Sequence, residues 1–339
     1  MLAAFVGASG VELRDVPEPA AGRGEIVVRM MACGVCGTDI EKAHGHGLTQ
    51  AILGHEVAGI VESVGEDVEG LRPGMKVFVH HHVSCGRCYY CLTESHTMCQ
   101  LFKTTNIWPG GFSELFKVPS PNVERGGVLQ IADMDFDLAT FIEPLACCLR
   151  SLHRTGLHPG STAAVIGCGP AGALHVMTLK ALGASYVAAA DVSDFRLEIA
   201  GRLGADEAVN VRAGGFGEIC RKGTDGRGVD LAVVSTGNPA ALKTALDAVR
   251  RGGKIILFGA PPKSSTVDLD ISRLFIDELS IIPNYSTTER ETLQAFHLLR
   301  AGTINPLQLI THRYPLAKVV EAFETAASPE SSMKVIVHT

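Results

Sequence analysis

A glycine-rich turn between two apolar runs constrains the fold of this chain more than any other feature. The run Thr162–Ile166 has the length of a buried strand, and the turn GCGPAG, residues 167–172, follows it at once. A helical pattern from Pro170 to Leu182 and a second apolar run, Tyr186–Ala190, come next. A strand, a tight turn, a helix and another strand in this order predict a parallel, doubly wound sheet.

The same alternation continues towards the C-terminus. In chain order the pattern predicts the strand Val229–Val234, the helix Pro239–Val249, the strand Lys254–Phe258, the helix Thr292–Ala301, further helix from Tyr314 to Thr325, and the strand Met333–Val337. Before about residue 150 the character differs, because short strand-like runs such as Glu25–Met31 and Ala58–Val64 are separated by proline and glycine turns. We therefore predict an α/β protein with a mostly-β domain over residues 1–150 and a doubly wound domain over residues 151–288.

The glycine-rich turn has the arrangement that binds a dinucleotide. Gly167 permits the tight turn, Gly169 lets the backbone approach a pyrophosphate, and Gly172 allows close packing of helix on strand. Pro170 and Ala171 lead into the helix, whose N-terminus offers free N–H groups and the positive end of its dipole to phosphate. These five residues are the predicted phosphate contacts.

Asp191 ends the second strand, about 20 residues after the turn, where an acidic residue accepts hydrogen bonds from ribose hydroxyls and repels a 2′-phosphate. It therefore favours NAD over NADP as the coenzyme. Arg196 favours NADP instead, since an arginine nearby can bind the 2′-phosphate. The alternative interpretation is that Asp191 only caps the end of a strand.

Four of the ten cysteines, Cys85, Cys88, Cys91 and Cys99, are closely spaced within one segment of about 15 residues. Zinc takes four thiolates in a tetrahedron, and such a closed site is structural because it has no open position. Free core thiols and an iron–sulfur cluster are the alternatives, since cysteines two residues apart also suit such clusters.

A second set of donors is dispersed along the chain and combines sulfur, nitrogen and carboxylate: Cys36, His55, Glu56 and Glu143. Dispersed ligands suit a catalytic zinc with one open position. Zinc there would act as a Lewis acid that lowers the pKa of an alcohol, so that hydride can leave. The run of three histidines, His80 to His82, is either a metal tract or a strand end with at least one histidine exposed.

These motifs resemble the zinc-containing alcohol dehydrogenases, a family of medium-chain dehydrogenases and reductases. The family signature is reproduced in full by Gly54, His55, Glu56, Gly59, Gly65 and Val68. The cysteine lobe, the glycine turn, Asp191 and the closing segment Thr311–Leu316 occur in the family's order. Within the family the chain resembles the sorbitol (iditol) branch most, because Gly-Thr-Asp follows Cys36 and Pro144 follows Glu143.

The resemblance implies a GroES-like catalytic domain, a Rossmann domain that binds NAD, and a C-terminal segment, residues 289–339, that returns to the catalytic domain. Cys36 and His55 would bind the catalytic zinc directly, and Glu56 or Glu143 would complete its shell. Thr38 would pass the alcohol proton outward. The implied activity is hydride transfer between a secondary alcohol or polyol and NAD, in a homotetramer or homodimer with two zinc ions per chain.

Two positions depart from that pattern. Glu41 stands where many relatives carry a histidine that completes the proton relay; it would serve only if burial raised its pKa, and the alternative is a solvated helix residue. Ile281 and Ile282 stand where sorbitol dehydrogenases carry an Arg-Tyr pair that faces the polyol. Threonine, cyclitols and amino-cyclitols therefore stay open as substrates, as does a catalytically inactive protein that binds zinc and NAD.

Charge and hydropathy exclude other classes of function. The chain has 339 residues, a net charge of -6 and no basic stripe, which argues against a nucleic-acid partner. Its sequence contains no apolar run of 18 residues and no signal-peptide pattern at the start. We therefore expect a cytoplasmic enzyme that acts on a small molecule without a membrane partner.

Overall fold

The computed structural model describes residues 1–8, 10–46 and 50–339. Its strands, numbered in chain order, are β1 Leu2–Gly7, β2 Gly10–Asp15, β3 Ile26–Gly34, β4 Glu56–Val64, β5 Lys76–Val79, β6 Leu115–Val118, β7 Val128–Gln130, β8 Thr162–Ile166, β9 Tyr186–Asp191, β10 Glu207–Asn210, β11 Val229–Val234, β12 Val249–Leu257, β13 Ser280–Pro283, β14 Ile310–Pro315 and β15 Lys334–His338.

The helices between these strands are short, and the longest have 12 residues. They are α1 Gly37–Ala43, α2 Tyr89–Leu92, α3 Gln100–Thr104, α4 Ser120–Glu124, α5 Phe136–Ala139, α6 Ile142–His153, α7 Pro170–Ala181, α8 Asp194–Arg202, α9 Phe216–Lys222, α10 Ala240–Ala248, α11 Ile271–Ile276, α12 Glu289–Arg300 and α13 Val319–Ala326. None of the helices in the described ranges has the length and apolar character that crossing a bilayer requires.

The described chain divides into two compact units. The first contains Met1–Ala146, Ser286–Ser328 and Lys334–Thr339, and the second contains Cys147–Tyr285 and Pro329–Met333. The last strand belongs to the first unit, because β15 pairs with β3 in antiparallel register, with Ile336 opposite Gly34.

The first unit is built on a seven-stranded sheet. Six of its strands lie in the order β14-β15-β3-β4-β5-β7, β6 also pairs with β3, and β1 with β2 forms a separate two-stranded sheet. Alternating residues of β3, among them Ile26, Val28 and Met30, enter a core of β-branched and aromatic side chains. The strand that leads into the Cys36 segment is therefore held at the centre of the sheet.

The second unit is a six-stranded sheet in the order β10-β9-β8-β11-β12-β13. Every neighbouring pair in it is parallel. Apolar clusters cover both faces, and alternate residues of β8 supply them: Ala164 and Ile166 on one face, Ala163 and Val165 on the other. The predicted α/β class with a doubly wound parallel sheet is confirmed.

The segment from Tyr314 to Thr325 differs from the prediction, which made all of it helical. Tyr314 lies instead on β14, opposite Val337 of β15, and the helix begins only at Val319. Pairing with a neighbouring strand satisfies the backbone of a segment rich in β-branched and aromatic residues, and this tertiary contact outweighs the local helical pattern. Pro315 ends the strand.

Candidate metal centres and coenzyme site

The four thiols of the cysteine lobe converge on one point. Cys88 precedes α2, Cys91 lies within it, and Cys99 precedes α3. The sulfur atoms of Cys85 and Cys91 are 3.9 Å apart and those of Cys88 and Cys91 are 3.6 Å apart. Thiolates about 2.3 Å from a tetrahedral zinc have their sulfurs about 3.8 Å apart, so the lobe has the dimensions of a zinc site.

Backbone amides of the lobe stabilise thiolates. The amide of Cys85 donates to Cys99 Sγ and that of Cys88 to Cys85 Sγ, each over 3.3 Å. The backbone amide of Arg87 is the main cause that lowers the pKa of Cys85 to about 6. Since the thiolate is the form that binds metal, the donor chemistry of the lobe fits zinc.

The dispersed centre is assembled by two neighbouring strands of the first unit. β3 ends at Gly34, Cys36 precedes α1, and His55 and Glu56 stand where β4 begins. Donor atoms of Cys36, His55 and Glu56 all lie within 4.8 Å of one another. The structure thus brings together one sulfur, one nitrogen and one carboxylate donor, a set that suits a catalytic zinc.

Asp39 holds this centre in place. Its two carboxylate oxygens accept hydrogen bonds from the amides of Gly54, over 3.0 Å, and Cys36, over 3.2 Å. His55 Nδ1 lies 3.3 Å from Asp39 Oδ1, which leaves Nε2 for a metal, as a carboxylate behind a ligating histidine does. Although burial lowers the pKa of His55, the charges of Asp39 and Cys36 raise it well above its usual value. The centre therefore favours a positive charge.

Glu56 has an ion-pair partner that the sequence did not indicate. Lys334, the first residue of β15, forms a buried ion pair with the Glu56 carboxylate and also donates to the Val35 carbonyl over 3.1 Å. Burial alone would lower the pKa of Lys334, but the charge of Glu56 outweighs it and the pKa is raised. No local pattern marks Lys334, because the contact joins residues 278 apart in the chain.

Glu143, in the first turn of α6, lies in a different group from Cys36. Its carboxylate and donor nitrogens of His80 and His81 lie within 4.8 Å of one another. The expectation that at least one of the three consecutive histidines is exposed is wrong, because His80, His81 and His82 are all buried after the end of β5. Burial lowers the pKa of His80 to about 3 and that of His82 to about 4. That Glu143 ligates the catalytic zinc stays a prediction.

The two predicted proton carriers lie on α1. Thr38 is exposed, two residues beyond Cys36, and Glu41 follows one turn later. The Glu41 side chain is 48% exposed, and its carboxylate lies 3.6 Å from His46 Nδ1. The burial that a relay through Glu41 requires is therefore not present.

The glycine turn has the geometry that its sequence predicts. β8 ends at Ile166, and Gly167 adopts φ +94°, a conformation that disfavours any residue with a Cβ. A Cβ on Gly172 would overlap the Gly167 carbonyl, so the helix packs directly against the turn. Gly169 precedes α7 and Pro170 opens it, with Ala171 next. The free N–H groups of a 12-residue helix are thus available to a pyrophosphate.

Asp191 is the last residue of β9, as predicted. Its carboxylate accepts hydrogen bonds from three backbone amides: that of Cys168 over 2.6 Å, Val192 over 2.7 Å and Ser193 over 2.9 Å. Arg196 lies over the turn, since a Cβ on Gly169 would be 3.5 Å from its guanidinium. A negative and a positive side chain therefore flank the same phosphate-binding turn.

Comparison with known proteins identifies the family. A family model described as the alcohol dehydrogenase GroES-like domain matches residues 22–125, and one described as zinc-binding dehydrogenase matches residues 170–301. An L-threonine 3-dehydrogenase from Bacillus velezensis is 32% identical over 338 residues, which cover 97% of this chain and 96% of the relative. A sorbitol dehydrogenase from Bacillus subtilis is 32% identical and covers 97% and 94% of the two chains.

Solved structures agree with this assignment. An alcohol dehydrogenase from Thermus sp. ATN1 superposes with a TM-score of 0.88 at 26% identity, covering 100% of this chain and 99% of the other. A zinc-binding dehydrogenase from Sinorhizobium meliloti 1021, solved with NADP, has a TM-score of 0.89 at 26% identity and covers 100% and 98%. With the thiolate lobe, the Cys36 centre and the glycine turn in place, the chain belongs to the zinc-binding alcohol dehydrogenase family and is an oxidoreductase with a GroES-like and a Rossmann domain.

Proposed function

We propose that this enzyme oxidises a secondary hydroxyl of a polyol with NAD as the hydride acceptor. The donor set of Cys36, His55 and Glu56 is the observation that carries the proposal, because such a set suits a zinc site that keeps an open position for an alcohol. The Glu143-Pro144 segment, which resembles the sorbitol branch, supports a polyol over other alcohols. In the reaction, CH–OH and NAD⁺ give a ketone, NADH and one proton.

Different residues of the first unit would bind the metal and transfer the proton. Cys36, His55 and Glu56 would hold the catalytic zinc, with Asp39 orienting His55. When bound, zinc supplies Lewis acidity that favours loss of the proton from the alcohol. Thr38, which is exposed at the start of α1, would pass that proton outward. The thiolate lobe would hold a second zinc that stabilises its loops.

The coenzyme preference rests on the end of β9. Asp191 places a carboxylate beside the glycine turn, where it would repel the 2′-phosphate of NADP. Arg196 over Gly169 would reduce that repulsion, and one structural neighbour was solved with NADP. We expect NAD to be preferred, with Arg196 allowing measurable use of NADP.

L-threonine is the second candidate substrate. Several of the relatives that are about a third identical over nearly the whole chain are named L-threonine 3-dehydrogenases. Threonine is also a secondary alcohol, so the same metal centre and coenzyme site would serve, and only the groups around the substrate would differ. Cyclitols and amino-cyclitols stay within the same reaction class.

The deciding experiment measures NAD and NADP reduction with sorbitol, xylitol, inositols, L-threonine and simple secondary alcohols. We expect the highest kcat/KM with a polyol and NAD, and no activity in the Cys36→Ser variant, which removes a zinc donor. A higher kcat/KM for L-threonine than for any polyol would identify L-threonine, the second candidate, as the preferred substrate. Wild-type protein with full zinc content and no activity on any secondary alcohol would instead identify a binding protein without catalysis.

A matched pair of variants tests the coenzyme assignment. Asp191→Ser should narrow the preference for NAD over NADP, because it removes the charge that repels the 2′-phosphate. Arg196→Gln should widen the preference, because it removes the positive charge beside the turn. Since Asp191 also accepts three backbone amides, thermal melting should accompany the kinetics. Equal use of both coenzymes by the wild type would contradict the assignment.

A further inference from the structure

The short segment Pro329–Met333, between α13 and β15, belongs to the second unit, although the chain on both sides of it belongs to the first. Ser193 contacts this segment, because its Oγ lies 3.1 Å from the Pro329 carbonyl and 3.3 Å from Glu330 Oε2. Ser193 is buried and precedes α8, two residues after Asp191. The segment therefore brings the Glu330 carboxylate to the carboxyl end of β9, from a position 137 residues further along the chain than Ser193.

Asp191 and Glu330 are close enough for their charges to act on one ligand. The Ser193 amide donates to Asp191 Oδ1 over 2.9 Å, and the hydroxyl of the same serine lies 3.3 Å from Glu330 Oε2. One serine thus bridges the two carboxylates, which places them within about 10 Å of each other, the range over which charges interact at an ionic strength of 0.1 M. Since dinucleotides bind doubly wound sheets outside the carboxyl ends of the strands, both acids lie at the edge of the sheet that a coenzyme would occupy.

The Asp191 carboxylate is largely occupied by its own backbone. It accepts hydrogen bonds from three amides, and a carboxylate offers about four acceptor positions, so about one remains for a ribose hydroxyl. The three N–H dipoles also offset part of its negative charge. Repulsion of a 2′-phosphate would therefore be incomplete if it depended on Asp191 alone.

Arg196 makes an additional negative charge more important. Its guanidinium lies over Gly169, and its Nε is buried without a hydrogen-bond partner among the residues that the structure describes. A guanidinium is always charged and binds phosphate well, so Arg196 would attract a 2′-phosphate. The positive charge of Arg196 offsets that of Asp191, whereas Glu330 adds a negative charge at the same end of the site.

We propose that Glu330 is a second residue that determines coenzyme specificity, by repelling the 2′-phosphate of NADP at the ribose end of the site. This role rests on the proposed preference for NAD and assigns part of it to a segment outside the glycine-turn pattern. A phosphate monoester carries close to two negative charges at neutral pH, whereas the 2′-hydroxyl of NAD carries none. Removing the Glu330 charge should therefore change the affinity for NADP and leave that for NAD unaltered.

The test measures binding of NAD and NADP to the full-length, zinc-loaded protein by isothermal titration calorimetry, so that the result depends neither on turnover nor on the alcohol. In Glu330→Gln we expect the Kd of NADP to fall about threefold to tenfold, whereas the Kd of NAD changes by less than about twofold. Glu330→Lys should lower the Kd of NADP further. Glu330→Asp, which keeps the charge, should resemble the wild type.

Glu218→Gln is the matched control, because it removes the same charge elsewhere in the second unit. Glu218 is exposed on α9, next to Ile219, whose carbonyl accepts a hydrogen bond from Tyr186 at the opposite end of β9 from Asp191. This variant should leave both Kd values unchanged. In Glu330→Gln the gain in NADP affinity should also shrink as salt is raised from about 0.05 to 0.5 M, because exposed charges are screened.

The outcomes separate this role from the coenzyme assignment itself. A ratio of the two Kd values that is the same in Glu330→Gln as in the wild type, but shifts in Asp191→Ser, would overturn the role of Glu330 and leave the preference for NAD intact. Equal weakening of both coenzymes in Glu330→Gln would reveal a structural contact only and would overturn it as well. A wild type that binds NADP as tightly as NAD would instead refute the preference on which the role depends.

Discussion

Lys334 at the start of the last strand forms an ion pair with Glu56 at the start of β4, and each side chain is only 2% exposed. Gly34 of β3 makes the contact possible, because a Cβ there would overlap the Glu56 carboxylate and approach the Lys334 side chain. The C-terminal segment thus supplies a counter-charge to Glu56, which with Cys36 and His55 makes up the proposed zinc centre. Because Lys334 begins a strand of the sheet and Glu56 is one of the metal donors, loss of this ion pair should affect both the stability of the sheet and the metal centre.

Removing the lysine should destabilise the fold strongly. When the Cys36 centre is free of zinc, Lys334→Met leaves the Glu56 carboxylate buried without a counter-charge, which we expect to lower the free energy of unfolding by about 3–5 kcal/mol in a denaturant titration. Lys318→Met is the control, since Lys318 pairs with Glu321 at an exposed position and should change stability by less than about 1 kcal/mol. Similar losses in both variants would show that the buried pair has no special role.

The two zinc centres should differ in how readily they lose metal. The cysteine lobe surrounds its site with four thiolates, whereas the Cys36 centre has three dispersed donors and an open position. Mild chelation should therefore abolish activity first, while circular dichroism stays unchanged and one zinc per chain is released slowly. Cys99→Ser should eliminate that slow fraction. Simultaneous loss of all zinc from the wild-type protein would contradict this order.

Asp137 should contribute stability that depends on pH. Burial would raise its pKa, but hydrogen bonds from His338, over 2.6 Å, and Arg313, over 2.7 Å, hold the pKa below its usual value. A carboxyl with a lowered pKa stabilises the folded state above the unfolded value, about 3.9, and loses this effect as the pH falls through the folded value.

Asp137→Asn should accordingly lower the free energy of unfolding by about 1.5–3 kcal/mol at pH 7, the range for hydrogen bonds to charged groups. The difference from the wild type should shrink below about pH 4. Urea titrations at several pH values measure it, with exposed Asp133→Asn as the control. A difference that stays constant down to pH 3 would mean that the carboxylate charge is not the cause.

The edge of the parallel sheet should form the contact between two copies of the chain. β13 is the last strand in the sheet order, and the helix before it exposes Ile271, Phe275 and Ile276 by 75%, 84% and 74%. A two-fold axis beside β13 would pair two such edges and cover these side chains. We expect Phe275→Glu to give a smaller species in light scattering, whereas Leu92→Glu, at an exposed position of the cysteine lobe, does not. A wild-type monomer would refute this prediction.

Local patterns predicted the parallel sheet well. The observed bounds of β8 and β11 are those expected from the sequence, and Asp191 ends its strand as expected, because buried strands are short apolar runs between turn residues. The cysteine lobe was equally visible, since all four thiols lie within one short segment. In both cases the residues that determine the structure are close together in the chain.

Contacts between segments that are distant in the chain could not be predicted from local sequence patterns. Lys334 has no sequence signal that links it to Glu56, and the grouping of Glu143 with His80 and His81 depends on where α6 packs. Burial of the three histidines was missed for the same reason, because polar residue types usually indicate exposure. Asp39 was visible only as the end of a Gly-Thr-Asp motif, and its contacts with Gly54 and His55 required the fold.

The final prediction separates the two residues of α1 that could pass on the alcohol proton. Thr38 is exposed in the first turn, two residues from Cys36, so Thr38→Val should lower kcat by about 10²–10⁴-fold, the usual contribution of a positioned proton carrier, while Thr38→Ser keeps most activity. Glu41, whose side chain is 48% exposed, lacks the burial that would suit it to a relay. Glu41→Gln should therefore leave the pH dependence of alcohol oxidation unaltered. Slower oxidation near and below neutrality in that variant, with rescue at high pH, would instead place Glu41 in the relay beyond Thr38.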